Sequence, residues 1–316
     1  MSEFNLIKQH FTRDTHHTNL SIGDDAALIS VNQGMELAIS ADMLVSGTHF
    51  FSDCDPEKLG WKGLAVNISD MAAMGAKPCW ATLAISLPHA DDAWLGAFSR
   101  GFFACARAFN IDLIGGDTTR GPLTIAVQIM GEVPIGKAIK RSGAKIDDDI
   151  WVSGTLGDAA LALAGMRSQL KLTKNELSEL EIALHTPQPR VALGIFLREV
   201  ATSCIDISDG LVSDLGHILA ASQLGANIQL MQLPTSKIVS KYFGLESVKN
   251  LVLAGGDDYE LCFTSPIVKR AEIERMSSTL TLPLTRIGTI NQQTKLNVIA
   301  NDQKMTITHK GYNHFA

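Results

Sequence analysis

Apolar and polar positions along the chain recur with two different periods. AALISV and MELAIS are short runs rich in β-branched residues, and they predict strands. From Asp55-Pro56 the spacing lengthens. WKGLAVNISDMAAM predicts a helix that opens on proline and closes at Gly75. WATLAISLP predicts a strand, DDAWLGAFSRGFFACARAF a helix behind an acidic first turn, and IDLIGG and PLTIAVQIMGEV two further strands.

A polar, glycine-containing and charged segment follows, GKAIKRSGAKIDDD from Gly136 to Asp149, and it suits a connection between domains. Beyond it the alternation resumes. IWVSG is strand-like, helices are expected from Asp158, Glu176 and Arg190, SCIDIS is a strand, and LVSDLGHILAASQL is an amphipathic helix. ELCFTS, TRIGTI and KLNVIA continue the pattern. The expectation is an α/β (α+β) chain of two domains, residues 1–137 and 149–316, joined by 138–148.

Composition narrows the possibilities. The 316 residues, 46% hydrophobic and 19% charged, suffice for two buried cores and exclude a disordered or fibrous chain. A net charge of −6 argues against nucleic acid or an anionic membrane as the main partner. No apolar run approaches the length of a membrane helix and the N-terminus lacks a signal-like apolar region, so a cytoplasmic protein is expected. Five widely spaced cysteines without a CxxC pair point to reduced, mostly buried thiols.

The aspartates carry the chemistry. Asp24 and Asp25 sit in IGDDAAL, Asp42 after LAIS, Asp117 after LIGG, Asp206 and Asp209 in CIDISDG, and Asp257 and Asp258 after LVLAGG. Carboxylates placed after strand-like runs could converge on the crevice beyond the carboxyl ends of an open α/β sheet. Asp70 stands instead inside an apolar helix, sharing a face with Asn67 at i, i+3, and a carboxylate there needs a compensating partner. Taken singly, each has an ordinary turn or cap role as the competing explanation.

Hard oxygen ligands without His or Cys select Mg²⁺, Mn²⁺ or Ca²⁺, and Mg²⁺ is commonly shared between carboxylates and a phosphate. The pairs Gly115-Gly116 and Gly255-Gly256 allow close backbone approach to a ligand. Lys137, Lys140, Arg141 and Lys145 form a local basic cluster suited to phosphate oxygens, or else a solvated linker. GEVPIGK matches the P-loop spacing, but Ala138 stands where Ser or Thr should hold Mg²⁺ and Pro134 interrupts the loop. No GxSxG or paired Cys/His signature supports a nucleophilic triad.

IGDDAAL, ISADMLVSGTHF, NISDMAAMGAKPCWATLAISLP, LIGGDTTRGPL, KRSGAK, IDISDGLVSDLGHI, GGDDYELCF and the terminal KGYNHF together resemble the thiamine-monophosphate kinase family, in order and over essentially the whole chain. That family lies in the superfamily of aminoimidazole ribonucleotide synthetase and selenide water dikinase, which binds ATP without a P-loop. The resemblance implies a homodimer of two-domain chains whose N-terminal sheets pair across the dimer. It also implies ATP in a cleft with several Mg²⁺ ions, and thiamine monophosphate as acceptor. It places metal ligands at Asp25, Ser40, Ala41, Asp42, Asp70, Asp117, Asp206 and Asp209, with Asp42, Asp70 and Asp117 central to catalysis. ATP contacts fall on Gly116, Asp117, Arg141 and Ser208, and substrate contacts on His49, Asp257 and Tyr312. Three positions depart from the family pattern: Ala41 replaces the usual Thr, Asp257 the usual Glu, and IDDD at 146–149 a Pro-Gly turn.

The residues suit phosphoryl transfer independently of the name. A phosphate monoester, with a second pKa near 6, is already an anionic nucleophile at neutral pH and needs no general base. A Mg²⁺-dependent phosphohydrolase, another ATP-using member of the superfamily, and a nucleotide-binding regulator are the rival expectations.

Overall fold

The computed structural model describes residues 3–305 and Gly311; the KGYNHF tail, including Tyr312, otherwise lies outside the described residues. The strands in chain order are β1 (Thr18–Leu20), β2 (Leu28–Ile29), β3 (Met35–Val45), β4 (Lys77–Leu87), β5 (Asp112–Arg120), β6 (Thr124–Pro134), β7 (Asp149–Ser153), β8 (Ser203–Asp206), β9 (Gly225–Gln229), β10 (Leu261–Ser265), β11 (Leu284–Asn291), β12 (Leu296–Ala300) and β13 (Gln303–Met305). The α-helices are α1 (Glu3–Leu6), α2 (Pro56–Ala73), α3 (Asp92–Phe109), α4 (Asp158–Met166), α5 (Lys174–His185), α6 (Val191–Leu197), α7 (Leu211–Ser222), α8 (Lys237–Tyr242), α9 (Glu246–Ala254) and α10 (Arg270–Leu280). They group into two compact units, Met1–Met71 with Ala76–Gly136, and Ala72–Gly75 with Lys137–Ala316. The mixed α/β class is as the pattern predicts.

In the first unit four strands pair in the order β3-β6-β4-β5, antiparallel except for β4 beside β5. Period-two alternation sends Ile125, Val127 and Ile129 of β6 and Ala81, Leu83 and Ile85 of β4 to one buried face. α2 and α3 meet at glycines: a Cβ on Gly60 would lie 2.0 Å from the Phe98 carbonyl oxygen, and one on Gly101 1.7 Å from that of Glu57. Backbones this close leave no room for even a methyl group. The other face of β3 is different, leaving Leu37, Ile39 and Met43 exposed at 37%, 55% and 58%.

The second unit holds a seven-stranded sheet, β13-β12-β9-β11-β7-β10-β8. Both of its faces are covered. Ile150, Val152, Ile205 and Cys262 point into one core with α4, α7 and α9, while Trp151, Cys204, Leu261 and Phe263 point into another with α6 and α10. The continuous apolar runs IWVS and LCFTS therefore mark strands buried on both sides rather than helices. Trp151 and Phe263, partners in register, stack with ring centroids 6.4 Å apart.

Several expectations change. The segment GEVP of the P-loop-like match belongs to β6, so it is ladder rather than phosphate-binding loop. The four- and seven-stranded sheets are largely antiparallel, and Asp42 and Asp117 lie within β3 and β5, not beyond strand ends. A parallel-sheet crevice is thus not what gathers the aspartates; in antiparallel sheets neighbouring strand ends alternate. All five cysteines are free thiols, four of them buried. Among the described residues no helix is long and apolar enough to cross a membrane.

Candidate active site

The first cluster forms where α2 passes β3. Ser40 and Asp42, two residues apart on a strand, project to one face. The Ser40 hydroxyl donates to Asp70 Oδ2 at 2.5 Å, and the Asp42 amide donates to Asn67 Oδ1 at 2.9 Å. Asn67 is buried and anchored in turn, its Nδ2 donating to the Gly63 carbonyl at 3.0 Å. The i, i+3 spacing of NISD thus delivers one amide and one carboxylate to the same stretch of strand. Ala41, between Ser40 and Asp42, carries only a methyl group and offers a metal nothing but its carbonyl.

Asp117 stands elsewhere. Asp42 is in register with Val127, Val127 with Leu83, and Leu83 with Gly116, so β3 and β5 are opposite edges of the sheet. Three interstrand steps of about 4.8 Å separate the Asp42 row from the Gly116–Asp117 row by about 14 Å along the sheet. One ion cannot bridge that span within a chain. Among the described residues no three His, Cys, Asp or Glu side chains form a metal-binding group. Within one chain, therefore, the Ser40–Asp70 and Asp42–Asn67 bonds bring Asp42 and Asp70 to the same β3–α2 junction, while Asp117 stands on the far edge of the sheet.

Gly116 and Asp117 are nonetheless tightly specified. Gly116 has φ +148°, and a Cβ there would meet the Leu83 carbonyl oxygen at 1.8 Å, so only glycine fits. Asp117 is exposed and accepts the Thr118 amide at 2.9 Å. His49 is held by its own turn: the Val45 amide donates to Nδ1 at 2.9 Å, which in the neutral ring puts the proton on Nε2. Asp25 is exposed in the loop between β1 and β2. Two buried carboxylates secure that loop's flanks. Asp112 accepts the His16 and His17 amides and the Thr18 hydroxyl, and Glu132 accepts the amide and side-chain Nδ2 of Asn32. Unpaired, either would cost several kcal/mol to bury.

In the second unit Asp206 ends β8 and is buried, while Ser208 and Asp209 follow on the turn into α7, both partly exposed. This turn lies directly against the GGDD loop. Asp257 donates its amide to the Ser208 carbonyl at 2.9 Å, and a Cβ on Gly256 would come within 2.4 Å of that same oxygen. Asp257 has φ +70° and Tyr259 φ +49°, left-handed values uncommon outside glycine, and the Tyr259 hydroxyl donates to Asp257 Oδ1 at 3.0 Å. Arg141 is exposed on the KRSGAK segment, which is tied down by the amides of Gly143 and Ala144 donating to the Ser222 hydroxyl. Lys137 of the basic cluster pairs with Glu199 at 2.8 Å. The IDDD departure is structural: Asp148 accepts the Lys145 amide and the Thr202 hydroxyl, and buried Asp149 pairs with Arg270.

Sequence reasoning missed Asp214. It is buried in the first turn of α7, and its Oδ2 accepts the amides of Ser208, Asp209 and Gly210 at 3.1, 3.0 and 3.1 Å. Burial pushes this carboxyl up to about 7, against the pull of those amides. The logic applied to Asp70, a carboxylate inside an apolar helix, would have found it in LVSDLGHI.

The available donors near β3 are a hydroxyl and two carboxylates, and those on the β8–α7 turn a hydroxyl and further carboxylates, a hard oxygen set that fits Mg²⁺. The thiols do not compete as nucleophiles, since burial pushes Cys54 and Cys79 up to about 11.

Residues 23–133 match the family described as AIR synthase related protein, N-terminal domain. Thiamine-monophosphate kinase of Escherichia coli strain K12 is 46% identical over 319 residues, covering 99% of this chain and 98% of that protein. A crystal structure of thiamine-monophosphate kinase from Stenotrophomonas maltophilia superposes with a TM-score of 0.85 at 45% identity, over 93% and 94% of the two chains. A structure of AaThiL complexed with AMPPCP and TMP gives 0.79 at 28% identity, over 93% and 92%. With nearly half of all positions identical across essentially the full length of both proteins, the chain belongs to the thiamine-monophosphate kinase family.

Proposed function

We propose that this chain transfers the γ-phosphoryl group of ATP to the phosphate of thiamine monophosphate, giving ADP and thiamine diphosphate. The observation that carries the reading is the full-length identity to thiamine-monophosphate kinases, together with a fold shared with a relative complexed with AMPPCP and TMP. The arrangement of oxygens is consistent with it. Asp42, Asp70 and Ser40 would hold Mg²⁺ on the β3–α2 side, with Ala41 adding its carbonyl. Asp25, Asp117, Asp206 and Asp209 would serve as the remaining ligands. Bound there, Mg²⁺ supplies positive charge to the phosphate oxygens and lowers the repulsion between two anions.

The chain's own residues do the rest. Gly116, kept a glycine by the Leu83 carbonyl of β4, would present its backbone to the nucleotide, and Arg141 and Ser208 would offer a guanidinium and a hydroxyl to it. His49, with its proton on Nε2, donates toward the acceptor. Asp257, one methylene shorter than Glu, reaches the acceptor from a strained turn, and Tyr312 is assigned to the acceptor from the family motif alone. No general base is required, because the acceptor phosphate is already anionic at neutral pH.

The reading extends to organisation. Residues 1–137 form the ATP- and Mg²⁺-binding and dimerising domain, 149–316 the second, and 138–148 the connection. A second copy of the chain is the occupant of the exposed β3 face. A cytoplasmic setting suits five thiols that are all unpaired.

Acceptor-dependent ADP formation tests the function. Thiamine monophosphate should stimulate it strongly and free thiamine poorly. ADP release indifferent to acceptor would identify a phosphohydrolase instead and reject the reading.

A further inference from the structure

The turn between β8 and α7 is fixed from both sides. Its carbonyl edge is engaged: the Asp257 amide donates to the Ser208 carbonyl and the Tyr259 amide to that of Ile207, at 2.9 and 2.8 Å. Its amide edge is engaged as well, since the three consecutive N–H groups of Ser208, Asp209 and Gly210 converge on one oxygen, Asp214 Oδ2. Gly210 closes the turn with φ +111°, and a Cβ there would lie 2.6 Å from the Ala254 backbone. Successive amides aimed at one point form a concave site that ordinarily takes an anion such as phosphate. Here the chain's own buried carboxylate fills it.

The geometry points to Asp214 as a positioning residue: by gathering these three amides it turns the backbone donors inward and sets the outward placement of Ser208 and Asp209. The turn then meets Mg²⁺-nucleotide through a hydroxyl and a carboxylate rather than through backbone amides. This deepens the reading given above and rests on its assignment of Ser208 and Asp209 to the nucleotide and its metal. Asp214 itself touches neither.

The test compares Asp214→Ala, Asp214→Asn and Asp214→Glu with the wild type, varying Mg²⁺-ATP and thiamine monophosphate separately and recording Tm. The Ala variant removes the acceptor and should raise KM for Mg²⁺-ATP at least tenfold while leaving KM for thiamine monophosphate within twofold. The Asn variant keeps a carbonyl oxygen in place and should recover to within threefold of wild type. The Glu variant keeps charge and acceptor but moves the turn by one methylene, so a folded Glu variant should still show a raised KM for Mg²⁺-ATP; this comparison stands even where the Ala variant does not fold. Equal changes in both KM values, or a Glu variant with lowered Tm and unchanged KM for Mg²⁺-ATP, would overturn the proposal. Wild-type activity toward thiamine monophosphate tests the underlying function separately, so failure of one is not failure of the other.

Discussion

At the scale of residues, the candidate site depends on a few side chains whose neighbours fix them. Asp42 is the sharpest case. The bond to Asn67 comes from its backbone amide, so Asp42→Asn keeps that bond while removing one negative charge from the β3–α2 junction that also holds Asp70. We expect kcat to fall at least about a hundredfold, on the order of 3 kcal/mol of lost transition-state stabilisation. Tm in the absence of Mg²⁺ should be unchanged or higher, because clustered carboxylates repel. Turnover near wild type at limiting Mg²⁺ would remove Asp42 from the metal site. Much of this was legible in the sequence. Asp70 betrayed itself as a carboxylate in an apolar helix, and Asn67 by sharing its face. Asp214 obeyed the same rule unnoticed, because its partners are backbone amides and leave no mark on residue type. The left-handed turns at Asp257 and Tyr259 were equally silent.

At the scale of elements, the strands and helices with strong periodicity came through, and those with a weak local pattern did not. Strand β9, GANIQ, was not anticipated; its Gly225 is dictated by distant backbone, a Cβ there falling 1.9 Å from the Gln293 carbonyl oxygen. Helix α10 buries only Ile273 and Met276, too thin a stripe to announce itself. MELAIS proved to be the first part of an eleven-residue strand, because the alternation of β3 continues through ADMLV. That strand carries the clearest prediction at this scale. Leu37, Ile39 and Met43 lie along one exposed face, and an uncovered apolar stripe on a sheet marks an interaction surface. Light scattering at micromolar concentration should return about twice the 34.0 kDa chain mass, and Ile39→Glu should return the mass of one chain. A wild-type monomer under those conditions would contradict the pairing of sheets.

At the scale of the whole molecule, the order of motifs along the chain was legible but their grouping in space was not. Glycine pairs and aspartates after strand-like runs single out candidate positions for phosphate and metal chemistry from spacing alone. The sheet register, which puts Asp42 and Asp117 on opposite edges, depends on which strands pair, and β6 returning between β3 and β4 is a long-range choice that local pattern does not encode. The central proposal is one of chemistry: the phosphoryl group would pass directly from ATP to the acceptor phosphate, and the aspartates would hold metal rather than accept phosphate. Incubation with γ-³²P-labelled ATP, Mg²⁺ and thiamine monophosphate measures this in one experiment. Label should appear in thiamine diphosphate in equal amount to the ADP formed, with none retained on the protein at any time. Label released as inorganic phosphate, or trapped on an aspartate before the acceptor is added, would contradict the account.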